Sequence, residues 1–210
     1  MAKQERAIAT RENILQAGAR LFSRKHYEAV RIAELLAEAS VTQGGFYFHF
    51  PTGKKGVAEE LILRQDGRLT AVREAAVADA DLDGLSALIL FLRRIVTEIE
   101  HDIVMQAGLR LVIQAAENFP EVAHMPHPSW NAAIEGALMK AQADAVLRDG
   151  VDAVSTARAL VLLFIGAQTS SFINDQWRNA SATADVLVQF ILTSIAAPGF
   201  VPADDGVTEA

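Results

Sequence analysis

The chain has 210 residues, of which 51% are hydrophobic and 21% charged, which excludes a disordered chain and allows one large domain or two small ones. It has no cysteine, so disulfides, thiolate metal sites and a cysteine nucleophile are excluded. The formal net charge of −7 alone argues against nucleic acid as the main partner. However, the first 55 residues carry +4 and the other 155 carry −11, which indicates a basic segment for a polyanion and a larger acidic body.

Apolar residues recur at helical spacing along almost the whole chain, and no alternating strand pattern is found, which predicts an all-α fold. Pro51 and Gly53 interrupt the pattern after three helices, and Asp79, Asp81 and Asp83 supply carboxylates to cap a later one. The nine predicted helices cover residues 5–25, 31–39, 42–48, 54–78, 85–100, 102–117, 129–147, 153–174 and 183–196.

The predicted helices divide into two domains. A three-helix helix-turn-helix domain is expected over residues 1–52, a larger helical domain over 53–198, and a disordered tail over 199–210. The last two helices are apolar on more than one side, so they need cover on more than one side. A partner subunit supplies that cover if the protein is a homodimer. The alternative is that they close the core of the monomer.

The short helices over 31–48 have the dimensions of a helix-turn-helix, whose second helix enters the DNA major groove. Small residues after Thr42 suit close approach to base edges, and basic or hydroxyl side chains around them suit phosphate. The two lysines before residue 56 fall at a helix start, where amide dipoles also favour an anion. The candidate DNA-binding residues are Arg31, Thr42, Gln43, Gly44, Tyr47, His49, Lys54 and Lys55.

The stretch from Val41 to Phe50 resembles the signature of the TetR family of one-component transcriptional repressors, as do Thr10-Arg11, Ile14-Leu15, Leu21-Phe22 and Tyr27 around it. Residues 1–8, 107–111 and 128–130 more specifically resemble the γ-butyrolactone receptors of actinomycetes.

Three features depart from the family pattern. Gln43 stands where Lys is usual, which alters one phosphate or guanine contact. Ser40 occupies a turn position that is often Gly, and a left-handed backbone there costs on the order of 1 kcal/mol. The link over residues 51–55 is one residue longer than usual, so either lysine at its end could contact phosphate.

The resemblance implies a two-domain regulator whose helical body binds a ligand that releases DNA. A mostly apolar interior with a few polar groups suits an amphiphilic molecule such as a lactone with an alkyl chain, although the same residues also suit a plain core. Trp130 and Gln65 match pocket residues of the lactone receptors. The candidate ligand-binding residues are Gln65, Phe91, Met105, Leu109, Trp130, Phe164 and Gln168.

The residue spacings do not match the motifs of metal sites or nucleotide-binding loops. No cofactor, metal or catalytic residue is expected. A calcium loop beginning at Asp79 has Leu90 at its twelfth position, where a bidentate Glu is needed. His124 and His127 lack a third metal ligand of clear spacing, and Gly53-Lys54 lacks the other residues of a P-loop.

The sequence therefore predicts a ligand-released, homodimeric repressor of a palindromic operator, dimerised through its last two helices. We expect it to be cytoplasmic and nucleoid-associated when bound to DNA, with no membrane association, since no apolar run reaches the length of a membrane span. The alternative within the family is a sensor of a drug or another hydrophobic metabolite. Two other classes are a small-molecule enzyme and an adaptor whose basic segment binds an acidic partner or a membrane.

Overall fold

A computed structural model describes residues 2–77, 81–123 and 127–203. Apart from an isolated antiparallel bridge between Leu147 and Ala196, the regular structure in these ranges is helical. Two 3₁₀ turns, Tyr27–Ala29 and Ala116–Asn118, accompany the α-helices. The α-helices of the described ranges are α1 (Ala2–Phe22), α2 (Ile32–Ala39), α3 (Gln43–His49), α4 (Lys54–Val77), α5 (Gly84–His101), α6 (Ile103–Ala115), α7 (His127–Ala143), α8 (Ala153–Asp175) and α9 (Ala180–Ser194). The all-α prediction is confirmed.

Several helices begin at an oxygen-bearing side chain that accepts hydrogen bonds from the otherwise unpaired amides of the first turn. Asp83 accepts from the backbone N–H groups of Leu85 and Ser86, both at 2.9 Å, as the sequence predicted. Asp102 caps α6 and Asp152 caps α8 in the same way. These caps fix the residues at which the helices start. Asp79, the first carboxylate of the predicted capping stretch, lies outside the described residues.

The described residues form two compact units. The first contains those of 1–68 and 102–125, and the second contains those of 69–101 and 126–210. This division differs from the expected boundary at residue 52, because the first part of α4 and the whole of α6 belong with the N-terminal helices. α6 packs against α1, and four of its buried residues, Val104, Ala107, Leu111 and Ala115, join the same apolar core.

In the second unit α5 lies between α7 and α9, and α8 packs against both of those helices. Twelve of the eighteen residues of α5 are buried, so this helix is the centre of the unit. Residues 199–203, which the sequence assigned to a disordered tail, are described, and the amide of Ala203 donates to the hydroxyl of Ser86 at 3.0 Å. Residues 204–210 lie outside the described ranges.

Candidate nucleic-acid interface and ligand cavity

The short helix α3 has one buried and one exposed face. Phe46 and Phe50 are buried in the core of the first unit, while Gln43, Gly44 and Tyr47 are exposed on the other side. Thr42 precedes the helix, and its hydroxyl accepts a hydrogen bond from the amide of Gly45 at 3.2 Å. The buried aromatic rings thus hold the helix in place, and its polar and small residues are left on the surface.

The turn before α3 depends on an unusual backbone conformation. Ser40 has a φ of 53° and ends α2 in the left-handed region, which is the conformation considered from the sequence. The amide of the next residue, Val41, donates back to the carbonyl of Leu36 at 3.1 Å and so closes the turn. A serine there costs on the order of 1 kcal/mol more than a glycine.

Gly44 lies on the exposed face of α3, and nothing in the described part of the chain requires a glycine there. A Cβ built at this residue would meet no atom within 4 Å. Glycine lowers helix stability, so its presence is explained neither by packing nor by helix propensity. What it does provide is an uncovered stretch of backbone that another molecule can approach closely.

The two lysines at the start of α4 have different surroundings. The Lys54 ammonium group donates to the carbonyl oxygens of Tyr27 at 3.0 Å and Val30 at 3.1 Å, and lies 4.3 Å from the centre of the Tyr27 ring. Lys55 is half-exposed, and its ammonium lies 3.6 Å from the carboxylate of Glu59 one turn further along. Lys54 is therefore part of the fold, whereas Lys55 is the cation more accessible to a phosphate.

The remaining predicted DNA-binding residues lie near these. Arg31 is exposed just before α2, where its backbone amide donates to the carboxylate of Glu34 at 3.0 Å. His49 is partly buried at the end of α3, with its ring edge against Phe48 at a centroid distance of 5.0 Å.

Four of the predicted ligand-binding residues lie in the second unit. The ring of Trp130 is 5.5 Å from that of Phe91 and 6.0 Å from that of Phe164, measured between centroids, and all three are buried. Gln168 follows Phe164 by one helical turn and is also buried. Two polar atoms of these residues have no hydrogen-bond partner among the described residues, the indole Nε1 of Trp130 and the amide Oε1 of Gln168, and the same holds for the Oδ1 atom of the adjacent Asn131.

The other three predicted ligand-binding residues lie in the first unit. Gln65 on α4 is buried where α6 passes closely, because a Cβ at Gly108 would lie 2.4 Å from the Gln65 Cβ and 2.9 Å from the Leu61 carbonyl oxygen. Met105 and Leu109 are buried on α6. The structure therefore groups Phe91, Trp130, Phe164 and Gln168, and places the remaining three in a different unit.

A cavity of about 460 Å³ lies in the second unit beside the last part of α4, the start of α5 and one face of α7. A smaller space of about 20 Å³ shares Arg73, Ala87 and Ala133 with it and extends to Phe91. The larger cavity therefore lies beside the aromatic cluster of Phe91, Trp130 and Phe164. Residues that line the larger cavity include Arg73, Glu74, Leu82, Ala87, Ala133 and Lys140.

The chain is similar to bacterial regulators in its N-terminal part and over most of its length. Residues 14–61 match the family described as bacterial regulatory proteins, tetR family. The A-factor receptor protein of Streptomyces griseus is 29% identical over 203 residues, which are 96% of this chain and 69% of that protein. The structure of TylP, a TetR regulator from Streptomyces fradiae, is 30% identical, with a TM-score of 0.67 over 92% of this chain and 89% of that one. The chain belongs to the TetR family.

A further structure, of a γ-butyrolactone receptor called an ArpA-like protein, is 25% identical to this TetR-family chain. Its TM-score is 0.68, and the match covers 88% of this chain and 98% of that one. TetR-family regulators bind operator DNA as homodimers, so this protein is a cytoplasmic DNA-binding regulator and not an enzyme.

Two residues of this TetR-family protein were missed in the sequence. Phe48 is 76% exposed on α3, and its spacing of four from Gly44 could have placed it on the same exposed side of the helix. Arg73 lies at the cavity with its side chain only 18% exposed, and no periodicity in its stretch of α4 indicates this burial.

Several residues of the metal sites rejected from the sequence fall outside the described ranges. His124 and the side chain of His127 lie outside the described residues, as does Asp79 of the calcium-loop pattern. In the described part of the chain, no group of three or more His, Asp or Glu side chains is placed to hold a metal ion.

Proposed function

We propose that the protein is a homodimeric repressor that binds a palindromic operator through α3 and is released by a small amphiphilic signal of the γ-butyrolactone type. The similarity to two relatives, the A-factor receptor and a γ-butyrolactone receptor, supports this class of signal. The observation that carries the sensing half is the pair of unpartnered polar atoms buried around the aromatic cluster of Trp130.

Those two atoms specify what the signal must offer. The indole N–H of Trp130 can only donate, so it requires an acceptor such as a lactone carbonyl. The Oε1 atom of Gln168 can only accept, so it requires a donor such as a hydroxyl. Buried polar groups without partners cost about 1–3 kcal/mol each, and a ligand that satisfies them recovers that free energy. It stays a prediction that the ligand also contacts Gln65, Met105 and Leu109.

The exposed face of α3 supports the proposed DNA contacts. Gln43 and the open backbone at Gly44 face the base edges, while Thr42, Tyr47 and neighbouring polar groups contact phosphates. Lys55 is the phosphate-binding lysine on this proposal, because Lys54 already donates to two carbonyl oxygens. Arg31 and His49 complete the phosphate contacts. The half-sites then lie about 34–36 Å apart or at a related spacing, and the bound protein is nucleoid-associated.

The last two helices support the proposed dimer interface. Leu162 and Ile173 on α8 are 68% and 73% exposed, and Val186 and Phe190 on α9 are also exposed. By length and composition alone α8 could cross a membrane, with a mean hydropathy of 1.3 over 18 residues. In a homodimeric regulator, a second copy of the same two helices covers this apolar surface instead.

The test uses the two tryptophans as a matched pair. Trp130→Phe keeps an aromatic ring but removes the unpartnered N–H, so operator binding should be unchanged while release by an alkyl-substituted γ-butyrolactone requires about 2- to 10-fold more lactone. Trp177→Phe removes an indole N–H that already donates to the backbone carbonyl oxygen of Gln168 at 2.9 Å, so it should lower thermal stability more than it alters release. Fluorescence anisotropy of a labelled operator measures both binding and release.

Equal lactone sensitivity of Trp130→Phe and the wild type would remove Trp130 from the ligand site. Release by a chemically unrelated hydrophobic compound, with no response to any lactone, would instead favour the alternative of a drug or metabolite sensor.

A further inference from the structure

The cavity of about 460 Å³ in the second unit has the size of a small-molecule site. Its α7 wall is made of small residues, Ala133, Gly136 and Ala137, and Ala87 of α5 also lines it. Small side chains leave room along a helix surface, and their methyl groups make that surface apolar. The cavity is therefore suited to the hydrocarbon part of a ligand.

One cation that lines this cavity, Arg73, has only a distant ion-pair partner within the described protein. The Arg73 side chain is only 18% exposed, and its one ion-pair partner among the described residues is its chain neighbour Glu74, at 3.9 Å, whose own side chain is 71% exposed. A guanidinium has five N–H donors, and burying them without acceptors is unfavourable. Arg73 thus brings a positive charge with unused donors to an otherwise mostly apolar lining.

The other cation in the lining differs in this respect. The Lys140 ammonium donates to the carbonyl oxygen of Leu82 at 2.7 Å and to the carboxylate of Asp144 at 3.0 Å. Lys140 is consequently engaged in holding α7 against the start of α5. Arg73 is the lining cation whose donors remain available to a ligand.

The space beside Arg73 also leads toward the aromatic cluster. The smaller cavity of about 20 Å³ is lined by Arg73, Ala87 and Ala133, and it extends to Phe91. The Phe91 ring lies 5.5 Å from that of Trp130. A molecule with one charged end at Arg73 would therefore have its apolar part directed at Phe91.

We propose that this cavity binds an amphiphilic carboxylic acid, whose carboxylate pairs with the Arg73 guanidinium and whose hydrocarbon chain lies along α7 toward Phe91. The planar guanidinium matches a carboxylate with two parallel hydrogen bonds. The proposal rests on the proposed function for sensing by the second unit but changes the ligand, since an amphiphilic acid takes the place of the uncharged lactone as the signal.

The test compares straight-chain C6 to C10 carboxylates with their methyl esters by isothermal titration calorimetry on the full-length protein. The ester keeps the hydrocarbon chain and removes the charge. Wild-type protein should bind at least one carboxylate about 10- to 100-fold more tightly than its ester. Arg73→Gln should lose that preference while its affinity for the ester stays within about twofold, which also shows that the variant is folded.

The control is Arg94→Gln, which removes an exposed positive charge from α5 at a different cavity of the same unit. It should retain the carboxylate preference. The proposal is overturned if no carboxylate binds, if esters bind the wild type as tightly as acids, or if both arginine variants lose the preference equally.

Operator binding separates this proposal from the proposed function. Specific, salt-dependent binding to a palindromic duplex by a protein that ignores every carboxylate would reject the acidic ligand and leave the repressor intact. Carboxylate binding by a protein that shows no specific DNA binding would support the acidic ligand and reject the repressor.

Discussion

Replacing Gln168 with leucine should stabilise the protein, although Gln168 lies in the interior. Its side chain is 8% exposed, and the Oε1 atom has no donor within reach in the described structure. An unpartnered buried polar group costs about 1–3 kcal/mol. Leucine removes that cost and packs against the apolar neighbours of the site, which include Val96, Ile99 and Leu187. We expect Gln168→Leu to raise the free energy of unfolding by about 1–2 kcal/mol.

Thermal and urea denaturation at one fixed protomer concentration measure this gain, because the stability of a dimer depends on concentration. For a chain of this size, the expected rise in Tm is about 2–8 °C. Ser171→Ala is the matched control, since Ser171 is buried one turn away on the same helix and its hydroxyl has a partner, Asp175, at 3.5 Å. That variant should show no comparable gain.

The same substitution should impair sensing. On the proposed function, Gln168 accepts a hydrogen bond from the signal, so Gln168→Leu should bind operator normally and require more signal for release. An unchanged or lowered Tm would refute the reasoning, because it would mean that the amide oxygen is satisfied within the protein. The case for a ligand hydroxyl at that point would then be lost.

Two further predictions concern the first unit. Gly44→Ala should raise the free energy of unfolding by about 0.5–1 kcal/mol, since the new methyl group meets no atom within 4 Å, and should weaken operator binding several-fold by obstructing the DNA. Urea denaturation and operator anisotropy measure the two effects. Acid should destabilise the protein as the pH falls below about 4.5, because the hydrogen bond from Arg11 is the largest cause that lowers the pKa of Glu60 from its ordinary value of 4.5. That stabilisation is present above the unfolded pKa and is lost as the carboxylate is protonated, so Glu60→Gln should flatten the acid side of the stability profile.

The controls for these two predictions come from the same chain. Gly67→Ala on α4 also introduces a methyl group into open space, so it should stabilise similarly and leave operator affinity unchanged. Normal operator affinity of Gly44→Ala would contradict the proposed close approach of DNA. An acid transition that is the same with and without the Glu60 carboxylate would show that its ion pair contributes nothing measurable.

Local chain chemistry was enough to predict much of the fold. The cap at Asp83 and the left-handed Ser40 both follow from neighbouring residues, and the structure contains both. Helix ends were harder to locate: α7 was predicted to reach residue 147 but ends at Ala143, since Ala145 has a φ of 57° and breaks the helix. Apolar periodicity could not reveal this break, because alanine is a good helix former.

Contacts between distant residues account for most of what the sequence could not predict. Lys54 was expected to bind phosphate as readily as Lys55, but its role depends on carbonyl oxygens 24 and 27 residues earlier in the chain. The place of α6 in the first unit has the same origin, since an apolar helix face does not specify which helix will cover it. The burial of Arg73 likewise arises only when α4, α5 and α7 are assembled.

The apolar surface of α8 has a consequence for how the regulator responds to its own abundance. If two copies must meet through this surface, the concentration of dimers depends on the square of the protomer concentration when the protein is scarce. A lone chain carries a single α3 and can occupy only one half-site. Operator occupancy then falls more steeply than the amount of protein, so a modest drop in expression, or the dilution that accompanies cell growth, relieves repression even without a signal.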